Sequence, residues 1–279
     1  MDKSERRARQ RTENIGRARE MHQARLAYES ELPLLTEKKN KYSKYNIGCS
    51  GWYYFDWAEG FYKGIERKNW FDHYSDEFDT VELNAPFYSW PKIATVKTWL
   101  RQIGKKNFVY TVKVSELITH VKRFTGTKEL VKDFCYIADL LGDKMGCFLF
   151  QLPPSYHYTP ARLKSILSQL DLSRKNVVEF RHPTWWNEQV YSAFRKTGII
   201  FCSCSAPKLP DELIKTSDDI YIRFHGLEKW YRHDYSKEEL RKWAGRIKAS
   251  EAKHIWVYFN NDYNGFAIKN AKSLAKILC

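Results

Sequence analysis

No stretch of this chain reaches the roughly 18 consecutive apolar residues that a bilayer-spanning helix needs, so helical membrane spans are excluded. Cysteine is sparse, six in 279 residues and without a CxxC pair, which removes a disulfide framework and a paired zinc knuckle. HExxH and EF-hand spacings are missing too, so no metal motif supports a resident cation, although a divalent metal stays possible. Acid is short relative to base, 33 Asp and Glu against 47 Lys and Arg. The resulting charge of +14 favours acidic partners: nucleic acid, phosphorylated metabolites or an anionic surface. With no signal peptide, no transit-peptide composition and thiols that read as reduced, a cytoplasmic location is expected.

What is abundant is aromatic. Ten Trp, 18 Tyr and 16 Phe supply the apolar area of a large core, and a barrel domain of about 250 residues would use nearly all of the chain. Residues 1–44 read as a separate basic arm, helical or partly disordered, ended by Pro33 and poor in large apolar side chains. The arm carries 12 of the 47 basic and 7 of the 33 acidic residues, so the remainder, with 35 against 26, is itself basic. It serves either as a nucleic-acid or partner-binding arm or as a solvated extension lying on the domain.

Beyond Tyr45 short β-branched or aromatic runs alternate with amphipathic stretches. Strands are expected at 45–50, 80–84, 107–114, 146–152, 176–181, 199–203, 219–224 and 254–261, and helices at 94–103, 128–141, 160–170, 187–197, 237–249 and 266–278. Eight repeats of this alternation predict an α/β fold, a (β/α)8 TIM-type barrel over residues 45–279 with an N-terminal helical extension. An open doubly wound sheet is the alternative.

Side chains alternate faces along a strand, so the polar residues can be sorted. Thr80, Glu82 and Asn84 face inward when Val81 and Leu83 face helices; likewise Glu179 and Arg181, then Tyr221, Arg223 and His225, then Tyr258, Asn260 and Asp262. Lys113 and Gln151 fit the same scheme. All lie late in their strands, so they gather at the C-terminal mouth, where barrel enzymes carry their chemistry. Such a cluster is either a ligand pocket or a self-satisfied salt-bridge network. Arg223 and His225, with Gly265 before the last helix, suggest an anion cradle; Gly226, Asn264 and Gly265 are equally explained as turn and cap residues. His182 fits less well, because parity turns it away from the interior. Cys202 and Cys204 read as packing residues.

The strings GCSGWYY, VELNAPFY, ITH, LFQLPPS, VVEFRHPTWW, RFHG and YFNNDYNGFAIKNA, in that order, resemble the YecE-like family, domain of unknown function seventy-two. The resemblance runs from about Tyr45 to the C-terminus and implies a (β/α)8 barrel, without supplying a reaction. Family-like positions at the mouth are Ser50, Gly51, Trp52, Glu82, Asn84, His120, Gln151, Glu179, Arg181, His182, Arg223, His225, Asn260, Asn261 and Asp262. Lys63 departs from the pattern, where proline is usual.

The function expected is an enzyme, a hydrolase or isomerase, acting on a small anionic or phosphorylated ligand. Glu82, Glu179 and His225 are the candidate acid–base residues, since carboxylates sharing a pocket separate in pKa. Ser50, Trp52, Asn84, Lys113, His120, Gln151, Arg181, His182, Arg223, Asn260, Asp262 and Gly265 are the candidate binding residues. A divalent metal on Glu82, Glu179, His225 and Asp262 is opposed by Lys113 and Arg181 nearby, so no metal ligand is assigned. Nucleic-acid binding through the basic surface and the arm, or metal-assisted phosphodiester cleavage, are the alternatives.

Overall fold

A computed structural model describes residues 2–31 and 42–278; Pro33, expected to end the arm, lies outside them. The chain runs α1 (Lys3–Glu31), β1 (Tyr45–Cys49), α2 (Trp70–Glu77), β2 (Thr80–Leu83), α3 (Ala85–Tyr88), α4 (Ile93–Ile103) and β3 (Val109–Lys113). It continues through α5 (Lys128–Cys135), α6 (Ile137–Leu141), β4 (Met145–Gln151), α7 (Pro160–Gln169), β5 (Asn176–Glu179), α8 (Glu188–Thr197) and β6 (Ile200–Ser205). It closes with β7 (Asp219–Phe224), α9 (Lys237–Ala249), β8 (His254–Phe259) and α10 (Phe266–Leu278). The helix expected over 128–141 is broken at Tyr136, and α2 was not foreseen. No described helix is long and apolar enough to cross a membrane.

The eight strands pair in parallel, in the order β1-β8-β7-β6-β5-β4-β3-β2. The remaining seam, β1 against β2, is drawn together by a side chain: the Cys49 N–H donates to the Tyr74 hydroxyl at 2.8 Å, and that hydroxyl donates to the Thr80 carbonyl at 3.0 Å. Gly48 allows this approach, since a Cβ there would stand 2.3 Å from the Thr80 oxygen. The result is a nearly closed (β/α)8 barrel of the TIM type.

Alternation along the strands creates two cores. Val81, Val112, Phe148, Phe150, Val178, Phe201, Ile222 and Val257 pack outward against the helices. Cys147, Leu149, Val177, Cys202, Tyr221, Trp256 and Tyr258 fill the interior. The Tyr258 hydroxyl, deep in that interior, is held by Thr80 at 2.7 Å and Thr111 at 2.9 Å. At the N-terminal end Lys175 pairs with Asp219, which also takes His254 at 2.8 Å and the Trp256 indole at 3.3 Å. The bottom of the barrel is therefore a closed polar network.

The arm is docked. Ala18, Met21 and Arg25 of α1 are buried on the barrel, and Arg25 and His22 both reach the buried Asp133, each at 2.9 Å. Asn14 is buried as well; its amide donates to the Tyr88 carbonyl at 3.0 Å and its oxygen accepts from the Trp90 N–H at 2.9 Å. These bonds pin the segment after β2, which carries Asn84 and Phe87.

Candidate functional site

The floor of the mouth is one ion-paired cluster. Arg223, on β7, donates from Nη2 to Glu82 on β2 and from Nη1 to Glu179 on β5, both at 2.6 Å. Glu82 also accepts from the Tyr221 hydroxyl at 2.5 Å, and Glu179 from Arg181 Nε. All three charged groups are 0 % exposed, so no solvent screens them. Glu179 is consequently held well below the usual carboxylate range: burial opposes its charge, but Arg181 and then Arg223 outweigh burial.

His225 continues the floor, with Nε2 3.3 Å from Glu179 and Nδ1 3.1 Å from the Asn260 amide. Nε2 also lies 3.2 Å from Arg181 Nη2, a group that can only donate. Burial, then Arg181 and Arg223, push the imidazole well below its ordinary pKa, so it stays neutral.

Above this floor stands a rim of partly accessible groups. Asn84 donates to the Ser50 carbonyl at 3.0 Å, but its side-chain oxygen is buried without a partner. Asp262 Oδ1 is in the same state, and burial pushes this carboxyl up to about 7 despite the nearby Tyr54 hydroxyl and Arg223. Lys113 ends β3 with its ammonium 4.0 Å from the centre of the Phe87 ring. The turn after β3, a π-type turn over Leu117–Val121, sets His120 edge-on against the same ring at 4.9 Å. Burial and then Lys113 lower His120 to about 4. Arg181 lies against the Trp230 ring at 4.4 Å.

The structure thus brings Ser50, Glu82, Asn84, Lys113, His120, Glu179, Arg181, Arg223, His225, Asn260 and Asp262 to one end of the barrel. Other expected residues are placed elsewhere. His182 caps the short turn at Pro183–Trp185, bonds Thr184 and stacks on His157 at 3.9 Å, outside the cluster, as its parity required. Trp52 packs edge-on against Phe71 at 5.1 Å. Gln151 stays at the mouth, ending β4 in register with Glu179, and its amide donates to the Leu152 carbonyl at 2.6 Å.

The expected anion cradle is corrected as well. Both terminal nitrogens of Arg223 are committed to carboxylates. The Gly265 N–H bonds the Asp262 carbonyl at 3.2 Å, in a turn where Asn264 and Gly265 take φ values of 52° and 72°. Gly265 therefore makes a turn, and its N–H is already used.

Phe87 and Trp230 were missed as site neighbours. Strand parity cannot reach them, because each sits on a loop or short helix whose path the alternation does not fix. Among the described residues Glu179, Cys204 and His225 place three possible metal-ligand atoms within 4.8 Å of one another. The fit to a cation is poor: two guanidiniums, which stay charged in proteins, already touch Glu179.

The sequence matches the family described as Protein of unknown function DUF72 over residues 46–279. It is 25% identical over 268 residues to the UPF0759 protein YunF of Bacillus subtilis (strain 168), covering 83% of this chain and 94% of that one. Among solved structures, a DUF72 family protein from Thermotoga maritima superposes with a TM-score of 0.76 at 28% identity, covering 85% of this chain and 99% of that one. A DUF72 family protein from Enterococcus faecalis, 18% identical with a TM-score of 0.72, covers 84% of this chain and 95% of its own and shares the fold. The matched region takes in every barrel strand and leaves out α1, and the chain belongs to the DUF72 family.

Proposed function

We propose that the C-terminal mouth of the barrel is an active site, and that the protein is an enzyme moving a proton on a small anionic substrate, in a hydrolase- or isomerase-type reaction. The observation that carries this reading is the pair of buried, unpartnered acceptors at the rim, Asn84 Oδ1 and Asp262 Oδ1. Each unsatisfied buried polar atom costs about 1–3 kcal/mol, which a ligand group bonded to both acceptors would offset. Unpaired acceptors facing a mouth suit the hydroxyl groups of a ligand.

In this reading Glu82, Glu179 and His225 act as a fixed electrostatic floor rather than as proton carriers, since Glu179 stays ionised and His225 stays neutral. Asp262, pushed to about 7, donates and accepts protons near neutrality. Arg181 supplies the positive charge for the anionic group. The test is deuterium uptake from D2O into a panel of small phosphorylated ketones and hydroxy acids, followed by proton NMR. Exchange that Asp262→Asn abolishes supports the assignment; no exchange with any member, or exchange unaffected by Asp262→Asn, counts against it.

One further observation favours a second surface. The first buried residue of α1 is Asn14, so its preceding turns, with Arg7, Arg9 and Arg11 exposed, stand clear of the barrel. Nucleic acid would bind there by phosphate contacts, with affinity falling steeply with salt. Unchanged affinity after deletion of residues 1–13 would remove this reading.

A further inference from the structure

We infer that Lys113 is an imine-forming lysine, and that the substrate at this mouth is a small aldehyde or ketone bearing an anionic group. The inference rests on the active-site reading above and names its substrate class.

Lys113 presents a primary amine to the rim from the end of β3, 8% exposed and lying over the Phe87 ring. Among the described residues no carboxylate pairs with it, because Glu82 is taken by Arg223, and Glu179 by Arg181 and Arg223. The same barrel shows what a structural lysine looks like. Lys175, at the opposite end, is ion-paired with Asp219, and its pKa is raised: burial works against the charge, but Cys147 and Asp219 outweigh it. Lys113 is driven the other way, to about 7, by burial and then by Arg223. Near neutrality much of it carries a free lone pair, the condition a nucleophilic lysine needs.

The step balances without any co-reactant. The amine lone pair attacks the carbonyl carbon, a C–N bond forms, and the carbonyl oxygen takes up a proton to give a carbinolamine. The C–O bond then breaks, and both amine hydrogens leave with that oxygen as one molecule of water, which leaves a C=N bond. Arg181 offers a fixed charge to the anionic group, and the unpaired oxygens of Asn84 and Asp262 offer acceptors to substrate hydroxyls. An imine also acidifies the adjacent carbon, which gives Asp262 a proton to take.

The experiment incubates the full chain with dihydroxyacetone phosphate and sodium cyanoborohydride at about pH 7, followed by intact mass and peptide mapping. One adduct per chain is expected, on Lys113, formed at least about tenfold faster than on any other lysine. Lys113→Met and Lys113→Arg, checked for unchanged melting, should retain only the slow surface labelling. Labelling spread over the lysines without preference for Lys113 overturns the imine. If deuterium exchange still depends on Asp262 in that case, the active-site reading survives alone; if exchange is absent too, both fall.

Discussion

Replacing Arg223 by methionine removes the one cation shared by both floor carboxylates, while keeping most of the aliphatic stem. Glu82 would be left with the Tyr221 hydroxyl, whereas Glu179 keeps Arg181 and His225. Removing one partner of a buried ion pair costs about 3–5 kcal/mol, because the carboxylate left behind stays dry. One guanidinium serves two carboxylates here, but Glu179 has other partners, so the loss should be about 4 kcal/mol. At roughly 2–4 °C per kcal/mol for a domain of this size, the melting temperature should fall by about 8–16 °C.

The pH dependence gives a second readout. In the parent, Glu179 has a folded pKa below its unfolded one, so its contribution is present above the unfolded value and is lost on acidification. Arg223 supplies part of that lowering, so parent and variant should converge as the pH falls below about 4, in urea or thermal unfolding. A loss below about 1 kcal/mol, or a gap that does not change with pH, would refute the reasoning.

Three further outcomes follow from the same geometry. Asp262→Asn removes a carboxyl whose folded pKa is raised; that group's contribution is full below its unfolded value and lost as pH rises through about 7. The variant should match the parent below about pH 4 and exceed it by about 1–3 kcal/mol near pH 8.5 by denaturant titration. Asp219→Asn strands Lys175 at the barrel's other end and should cost about 2–4 kcal/mol, while leaving the trapping rate at Lys113 unchanged. Asn14→Ala takes the partner from the Tyr88 carbonyl and from the buried Trp90 N–H and should cost about 1–3 kcal/mol, with faster amide exchange at Trp90.

Much of this fold was legible because the hydrophobic pattern changes period at each element. All eight strands fall where the β-branched and aromatic runs lie, and α9 and α10 match their amphipathic stretches residue for residue. The break at Tyr136 was not visible, since the apolar repeat of α5 continues through α6 without a Gly or Pro to mark it. Seam closure was hidden too, because it depends on one tyrosine hydroxyl reaching two strands.

At the mouth, parity placed Glu82, Glu179, Arg223 and Asp262 on the inner face, and they converge there. Parity cannot say which inward groups spend their charge on one another. Arg223 reads in sequence as an anion ligand, and in three dimensions both of its terminal nitrogens are committed to carboxylates. That α1 lies on the domain was one of two readings, but the contacts that hold it, Asn14 with Tyr88 and Trp90 and Arg25 and His22 with Asp133, join residues far apart in sequence on an otherwise polar helix.

The most direct test of the mouth as a binding site is a crystal structure of the full chain with dihydroxyacetone phosphate at saturating concentration. The ligand should lie above the Glu82–Arg223–Glu179 floor, within hydrogen-bond reach of Asn84, Arg181 and Asp262, with its carbonyl carbon next to Lys113. An empty mouth, or ligand bound only elsewhere on the surface, would contradict the account.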